Sequence, residues 1–336
     1  MTVFHKRLVL IAAAGMQLFL MQALVAQDAG SSQGRDEALT TFKSQVDVVQ
    51  LFFNVKDKKG GLIPGLTKND FQILEDGKPQ TVKYFAAESN LPLTLGILID
   101  SSPSQERVLG MEKEVGVAFL QEILREKDLA FVISFDAEIE LLQDFTNAIP
   151  SLRKGLNRAR IGTGGATPPI PGVSGPFPTA DRPCCTDLYD AVYLAAHDEL
   201  AQQVGRKAMI LLTDGEDEGS RLKLKDAIEA AHKADTICYV LLVADRGFYG
   251  MMGYSGDSAM KKMAQETGGR VIEVGNKPDK LKKAFDDIAT ELRSQYNIGY
   301  VPTNTTRDGG FRKVEIKTAK DYKIQTRSGY YAVARD

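Results

Sequence analysis

Three short segments carry oxygen side chains at spacings that suit a hard cation. Asp100-Ser101-Ser102-Pro103-Ser104 offers one carboxylate and two hydroxyls at alternate positions, directly after the apolar run 93–99. Alternate residues of an extended chain share a side, so Asp100, Ser102 and Ser104 can point into one concavity. Leu211-Leu212-Thr213-Asp214-Gly215 ends a second apolar run with a carboxylate, and Gly215 permits a sharp turn after it. Thr186-Asp187-Leu188-Tyr189-Asp190-Ala191 places a hydroxyl at the start of a helical pattern. Few carboxylates with several hydroxyls match an ion such as Mg²⁺, which takes oxygen ligands and keeps waters. Alone, Asp and Ser in this spacing also cap helices. The three segments together make the stronger signal, provided the fold brings them to one place.

The surrounding pattern supplies such a fold. From 93 onward, buried-type strands alternate with helical periods. Strands are expected at 93–99, 129–135, 208–213, 236–243 and 270–274, with an edge strand at 139–145. Helices are expected at 111–124 (through Val115, Ala118, Phe119 and Ile123), 149–159, 188–200, 222–234, 259–267 and 281–296. This order implies a doubly wound, Rossmann-like α/β domain over 91–296 with a mostly parallel sheet. In such sheets ligands bind beyond the C-terminal strand ends, where Asp100 and Asp214 fall.

On either side the chain reads as β structure. Residues 43–90 contain strand-like runs and an Asp76-Gly77 hairpin turn; residues 297–336 contain four more short runs. Neither piece has enough apolar residues to fold alone, so the two are expected to pair into one small β module. Residues 162–183 break the pattern with five glycines and six prolines, a long loop of the kind often used functionally. At the N-terminus, His5, Lys6 and Arg7 precede an apolar stretch and Ala26, which reads as a secretory signal peptide over 1–26 with a flexible leader at 27–42. Localisation is expected to be exported, periplasmic or secreted, with no stable membrane span after cleavage. Cys238 falls in an apolar run and reads as a buried thiol, while Cys184 and Cys185 sit side by side in the loop. The formal net charge of −2 gives no basic excess, so no nucleic-acid partner is expected.

A strand into D-x-S-x-S, a Thr ahead of a helix and a strand into T-D-G together resemble the metal-ion-dependent adhesion site of von Willebrand factor A domains. The resemblance implies that Asp100, Ser102 and Ser104 ligate a divalent cation (Mg²⁺, or Mn²⁺ or Ca²⁺), directly or through water. Thr186 is then the distant hydroxyl ligand and Asp214 the second carboxylate. Leu66-Thr67-Lys68-Asn69-Asp70-Phe71, Glu75-Asp76-Gly77, Phe311-Arg312-Lys313 and Ser328-Gly329-Tyr330-Tyr331 resemble the VWFA-related proteins of Acidobacteria. Two features depart from the family. Pro103 stands where a small residue is common, and the Pro/Gly-rich loop precedes Thr186, which leaves Thr167 as a rival ligand.

The resemblance implies a non-enzymatic protein-binding module, for adhesion or scaffolding, whose cation is completed by an acidic group from a partner protein. The alternatives are a metal-assisted hydrolase, or a structural scaffold with no metal-dependent ligand. A hydrolase needs a base or nucleophile near the metal. His5 lies in the signal segment, His197 within a helix with a structural role expected, and His232 in a helix remote from the motifs. Neither G-x-S-x-G nor H-E-x-x-H occurs. Glu216, Asp217 and Glu218 read as a solvated turn. Asp190 reads as a support behind the metal or a local cap. The sequence leaves the oligomeric state open.

Overall fold

The computed structural model describes residues 48–87, 91–162, 186–243 and 257–332. The expected signal peptide, the leader, Thr167, Cys184, Cys185 and nearly all of the Pro/Gly-rich loop lie outside the described residues.

The described chain opens with β1 (Val49–Lys56), β2 (Phe71–Glu75), β3 (Lys78–Gln80) and β4 (Val82–Ala86). Asp76 and Gly77 link β2 to β3 with φ of 47° and 76°, positive at both positions as a tight two-residue hairpin requires. There follow β5 (Leu93–Asp100), α1 (Leu109–Ile123), β6 (Leu129–Phe135), β7 (Ile139–Thr146), α2 (Ile149–Arg158) and α3 (Leu188–Leu194), which widens into a π-helix over Ala195–Leu200. Then come β8 (Arg206–Thr213), α4 (Leu224–Lys233), β9 (Thr236–Leu242), α5 (Asp257–Thr267), β10 (Val271–Glu273) and α6 (Pro278–Arg293). The last strands are β11 (Tyr296–Tyr300), β12 (Phe311–Thr318), β13 (Lys323–Gln325) and β14 (Gly329–Tyr331).

Six strands form the central sheet in the order β10-β9-β8-β5-β6-β7. All neighbours run parallel except β7, which pairs antiparallel with β6 at the edge. The chain steps from β5 to β6 in one direction and from β8 to β9 in the other. The boundary between β5 and β8 is therefore the topological switch point, where an open α/β sheet leaves a crevice.

Both faces of the sheet are covered, which explains why β5, β8 and β9 are buried along their whole length. Leu95, Ile97 and Ile99 of β5 pack with α1, α2 and α6; Leu98 packs with α3, α4 and α5 on the other side. Cys238 lies within the second cluster, and burial pushes its thiol up to about 12. The buried side of α1 runs through Leu109, Glu112, Val117, Phe119, Leu120 and Ile123, and Ala118 is exposed. Val115, Phe119 and Ile123 of the expected stripe do face the core, Ala118 does not, and Glu112 takes an inward position beside them.

The terminal β segments interleave. One sheet runs β13-β1-β11-β4 and another β14-β12-β2-β3, so each contains strands from both ends of the chain. Their inner faces share one core of Leu51, Phe53, Phe71, Ile73, Tyr296, Ile298, Tyr300, Val314 and Ile316, among others. The helix expected to reach Tyr296 stops at Arg293 instead. Tyr296 begins β11, stacks on Phe53 at 5.6 Å and donates its hydroxyl to the Ile63 carbonyl at 2.8 Å. An aromatic side chain with a buried partner for its O–H is worth more in this core than as a last helical turn.

A polar cluster ties this β unit to the α/β domain. Glu291 of α6, buried, accepts from Lys56 of β1 at 2.9 Å and from Arg270 at 2.7 Å. Gln325 of β13 donates to the same carboxylate at 3.2 Å.

Candidate metal centre

The site is assembled at the switch point. β5 delivers Asp100 to its C-terminal end and β8 delivers Thr213 and Asp214 beside it, with Ile99 paired to Leu212. Ser101 is held by its amide to the Phe135 carbonyl at 2.8 Å, at the end of β6. Pro103 opens a short 3₁₀ turn, Pro103–Gln105, which curls Ser104 and Gln105 back over the strand ends. Gly215 takes φ of 87°, so the chain can turn away directly after Asp214.

Four of the five expected ligands fall into one hydrogen-bonded set. Asp100 Oδ1 accepts the Ser102 amide at 3.0 Å. The Ser102 and Ser104 hydroxyls are 3.0 Å apart, and Ser104 Oγ donates to Asp214 Oδ2 at 2.6 Å. Asp100, Ser102 and Asp214 are buried. Thr186 is buried on the same edge, just ahead of α3. Its carbonyl accepts the amides of Glu218 and Gly219 at 3.2 and 3.3 Å, from the loop that follows Asp214. The neighbouring Asp187 amide donates to Asp136 O at 2.8 Å. Thr186 is thus placed through backbone contacts to the loops after β6 and β8.

Burial, and then the charge of Asp214, push the Asp100 carboxyl up to about 7. Its partners are a hydroxyl and an amide, not a cation: Thr213 Oγ1 donates to Asp100 Oδ2 at 2.6 Å. Among the described residues, no group of three or more His, Cys, Asp or Glu side chains is placed to hold a metal ion. The donor set is instead two carboxylates with hydroxyls, which fits Mg²⁺ or Mn²⁺ with several retained waters and does not fit a soft or nitrogen-seeking metal. Asp100, Ser102, Ser104 and Asp214 are the residues that would hold such an ion, with Thr186 buried on the same edge as the fifth expected ligand.

Two further residues join the site by hydrogen bonds, and a third, Glu112, is a buried acid on α1; none was assigned from sequence. Thr213 orients Asp100 and also accepts the Gly215 amide at 3.0 Å. Gln105 donates to Asp214 Oδ2 at 2.9 Å, while its own buried Oε1 has no partner among the described residues. Glu112, on the first turn of α1, is buried, and among the described residues neither carboxylate oxygen has a hydrogen-bond partner. Burial, then the charges of Asp100 and Asp214, push its carboxyl well above the usual range. An acid in the apolar stripe of a helix is the signal that could have revealed it.

The acidic turn after Gly215 is only partly solvated. Asp217 Oδ1 accepts the Tyr189 amide at 3.2 Å and the Ser220 hydroxyl, so it caps the start of α3. Asp190 accepts the amides of Arg221 and Leu222 at 3.1 and 2.9 Å, a local loop clamp. His197 is exposed, stacked on Tyr193 and paired with Asp198 at 2.6 Å, with no core role. His232 is buried against Phe311 and Tyr331 of the β unit.

No family model matches the sequence, and no curated protein does. Solved structures offer likenesses. The von Willebrand factor type A protein from Catenulispora acidiphila is 12% identical, with a TM-score of 0.47 over 87% of this chain and 75% of that one. BatB, a conserved hypothetical protein of Bacteroides thetaiotaomicron, is 19% identical, with a TM-score of 0.44 over 60% of this chain and 100% of that one. Proximal thread matrix protein 1 from the mussel byssus, solved with a zinc-occupied MIDAS motif, is 13% identical, with a TM-score of 0.46 over 64% of this chain and 48% of that one. Von Willebrand factor A domains are thus among the solved structures to which this chain is similar.

Proposed function

We propose that the chain is an exported, metal-dependent protein-binding module for adhesion or scaffolding. A divalent cation sits among Asp100, Ser102, Ser104, Thr186 and Asp214 and coordinates an acidic side chain from a partner. The observation that carries this reading is the direct bond from Ser104 to Asp214. It joins the D-x-S-x-S loop to the end of β8 in one oxygen-lined cradle at the switch point. Hydroxyls contribute no charge, so the ion keeps much of its own and attracts a carboxylate from outside.

Binding is favoured over hydrolysis by what surrounds the cradle. Of the two histidines in the described residues, His197 is paired with Asp198 on the surface and His232 is committed to the β unit. Export is read from residues 1–26. No helix among the described residues is long and apolar enough to cross a membrane.

The test is an array of surface-bound peptides, each carrying one Glu, beside matched Gln peptides, probed with the full chain. Retention on Glu peptides that needs Mg²⁺, ends with chelator and is absent in Asp214→Ala supports the proposal. Equal retention with chelator rules out cation-mediated binding. Release of product from ester or phosphate substrates with Mg²⁺ would favour the hydrolase instead.

A further inference from the structure

We infer that the Gln105 side-chain amide is a placeholder for the cation: it bonds the oxygens that would hold the ion and must release them for the ion to bind. The inference rests on the cation-site reading above and adds the residue with which the ion competes.

Gln105 closes the short turn Pro103–Gln105 and is buried completely. Its backbone is fixed on both sides. Its amide donates to the Ser102 carbonyl at 3.0 Å, and its carbonyl accepts the Val108 amide at 3.0 Å. From there the side chain reaches the cradle. Nε2 donates to Asp214 Oδ2 at 2.9 Å and to Ser104 Oγ at 3.3 Å. Ser104 Oγ donates to the same Asp214 oxygen at 2.6 Å. The reversed amide would set Oε1 against Asp214 Oδ2, acceptor on acceptor, so the hydrogen bonds fix which way it points.

An N–H donor and a cation use the same lone pairs. A carboxylate oxygen offers about two, and on Asp214 Oδ2 these go to Ser104 and Gln105. Ser104 spends its one hydrogen on Asp214, so Ser102 is the donor in the 3.0 Å pair between the two serine hydroxyls. Ser104 Oγ therefore accepts from both Ser102 and Gln105. Neutral donors fill the sites that ligation needs on both atoms. The Gln105 amide is also held at one end only, since its buried Oε1 has no partner among the described residues. An amide bonded at one end gives up less on leaving than one satisfied at both.

Calorimetric titration of Mg²⁺ into the full chain, wild type beside Gln105→Met, tests the inference. Gln105→Met keeps the length of the side chain and removes both donors. Mg²⁺ affinity is expected to rise about threefold to tenfold, while the melting temperature in chelator falls, because a placeholder stabilises the empty form alone. Unchanged affinity marks a packing role, and lowered affinity marks a residue that holds Asp214 in place for the ion; either overturns the inference. Should Gln105→Met fail to fold, wild-type crystals grown with chelator and with Mn²⁺ test the inference without a substitution. The Gln105 Nε2 to Asp214 Oδ2 contact is expected to open beyond about 3.5 Å in the Mn²⁺ form. A contact kept at 2.9 Å beside the bound ion overturns the inference. Wild-type protein that takes up no Mg²⁺ overturns the cation-site reading itself, and this inference with it.

Discussion

Ser104 Oγ donates to Asp214 Oδ2 at 2.6 Å across 110 residues of chain. This one bond closes the loop after β5 onto the end of β8. Ser104→Ala removes both the bond and a candidate ligand hydroxyl. Asp214 keeps its contact with Gln105, so the fold is expected to hold. Mg²⁺ affinity is expected to fall about tenfold, the equivalent of about 1.4 kcal/mol. Calorimetry on the variant checks it.

Thr213 holds Asp100 in place from the neighbouring strand. Thr213→Val keeps the shape and leaves a buried carboxylate oxygen without its donor. The expected cost is about 1.5–3 kcal/mol of stability in denaturant unfolding. An equal loss in Thr213→Ser, which keeps the hydroxyl, would mean that packing and not the hydrogen bond is at stake.

Asp100 also makes the metal-free protein sensitive to pH. Its carboxyl is raised from 3.8 to about 7 in the folded chain, so between those values the folded state binds more protons than the unfolded one. Its contribution to stability is fully present below 3.8 and is lost as pH rises through about 7. Melting temperature in chelator is expected to fall across that window, and Asp100→Asn is expected to flatten the decline. Saturating Mg²⁺ should flatten it as well.

The opposite sign is expected where the β unit meets the α/β domain. His232 Nε2 donates to the Glu266 carbonyl at 2.8 Å, and its buried Nδ1 has no partner among the described residues. Burial lowers its pKa below 6.5 despite Glu266 and Asp235 nearby. Its stabilisation is therefore present above 6.5 and lost as pH falls through the lowered folded value. Acid unfolding of His232→Phe, compared with wild type, should show a shallower slope below 6.5.

Much of this arrangement was legible in the sequence because it is local and periodic. The strand 129–135 is a continuous apolar run buried on both faces, and the Asp76-Gly77 turn follows from backbone sterics, both dictated by near neighbours in the chain. The same holds for the D-x-S-x-S loop, since position in the chain placed it after a buried strand. What was missed depends on contacts between distant segments. Tyr296 reads as helical by period, yet the aromatic core formed by Phe53 and Phe85 claims it. Thr213 looked like part of a motif, but its bond to Asp100 spans 113 residues. Glu112 is not picked out because a helical pattern is read from its apolar residues, and a buried acid is the exception to that pattern.

The interleaving of the terminal strands carries a further expectation. β1 pairs with β11 and β13, and β2 pairs with β12. A chain ending at Tyr296 loses those partners and, with them, Ile298, Tyr300, Val314 and Ile316 of the shared core. It is expected to aggregate or to show no cooperative transition in calorimetry, since the remaining strands expose unpaired edges. A soluble truncation that melts cooperatively would show that the α/β domain holds β1 and β2 without them.

The central claim is that a divalent cation sits between Asp100 and Asp214. Anomalous diffraction from crystals grown with Mn²⁺ tests it most directly. The account requires one strong peak at the switch point, about 2.0–2.2 Å from the Ser102 and Ser104 hydroxyls, that disappears in Asp100→Ala. A well-ordered cradle with no peak there, or a peak elsewhere that survives Asp100→Ala, would contradict it.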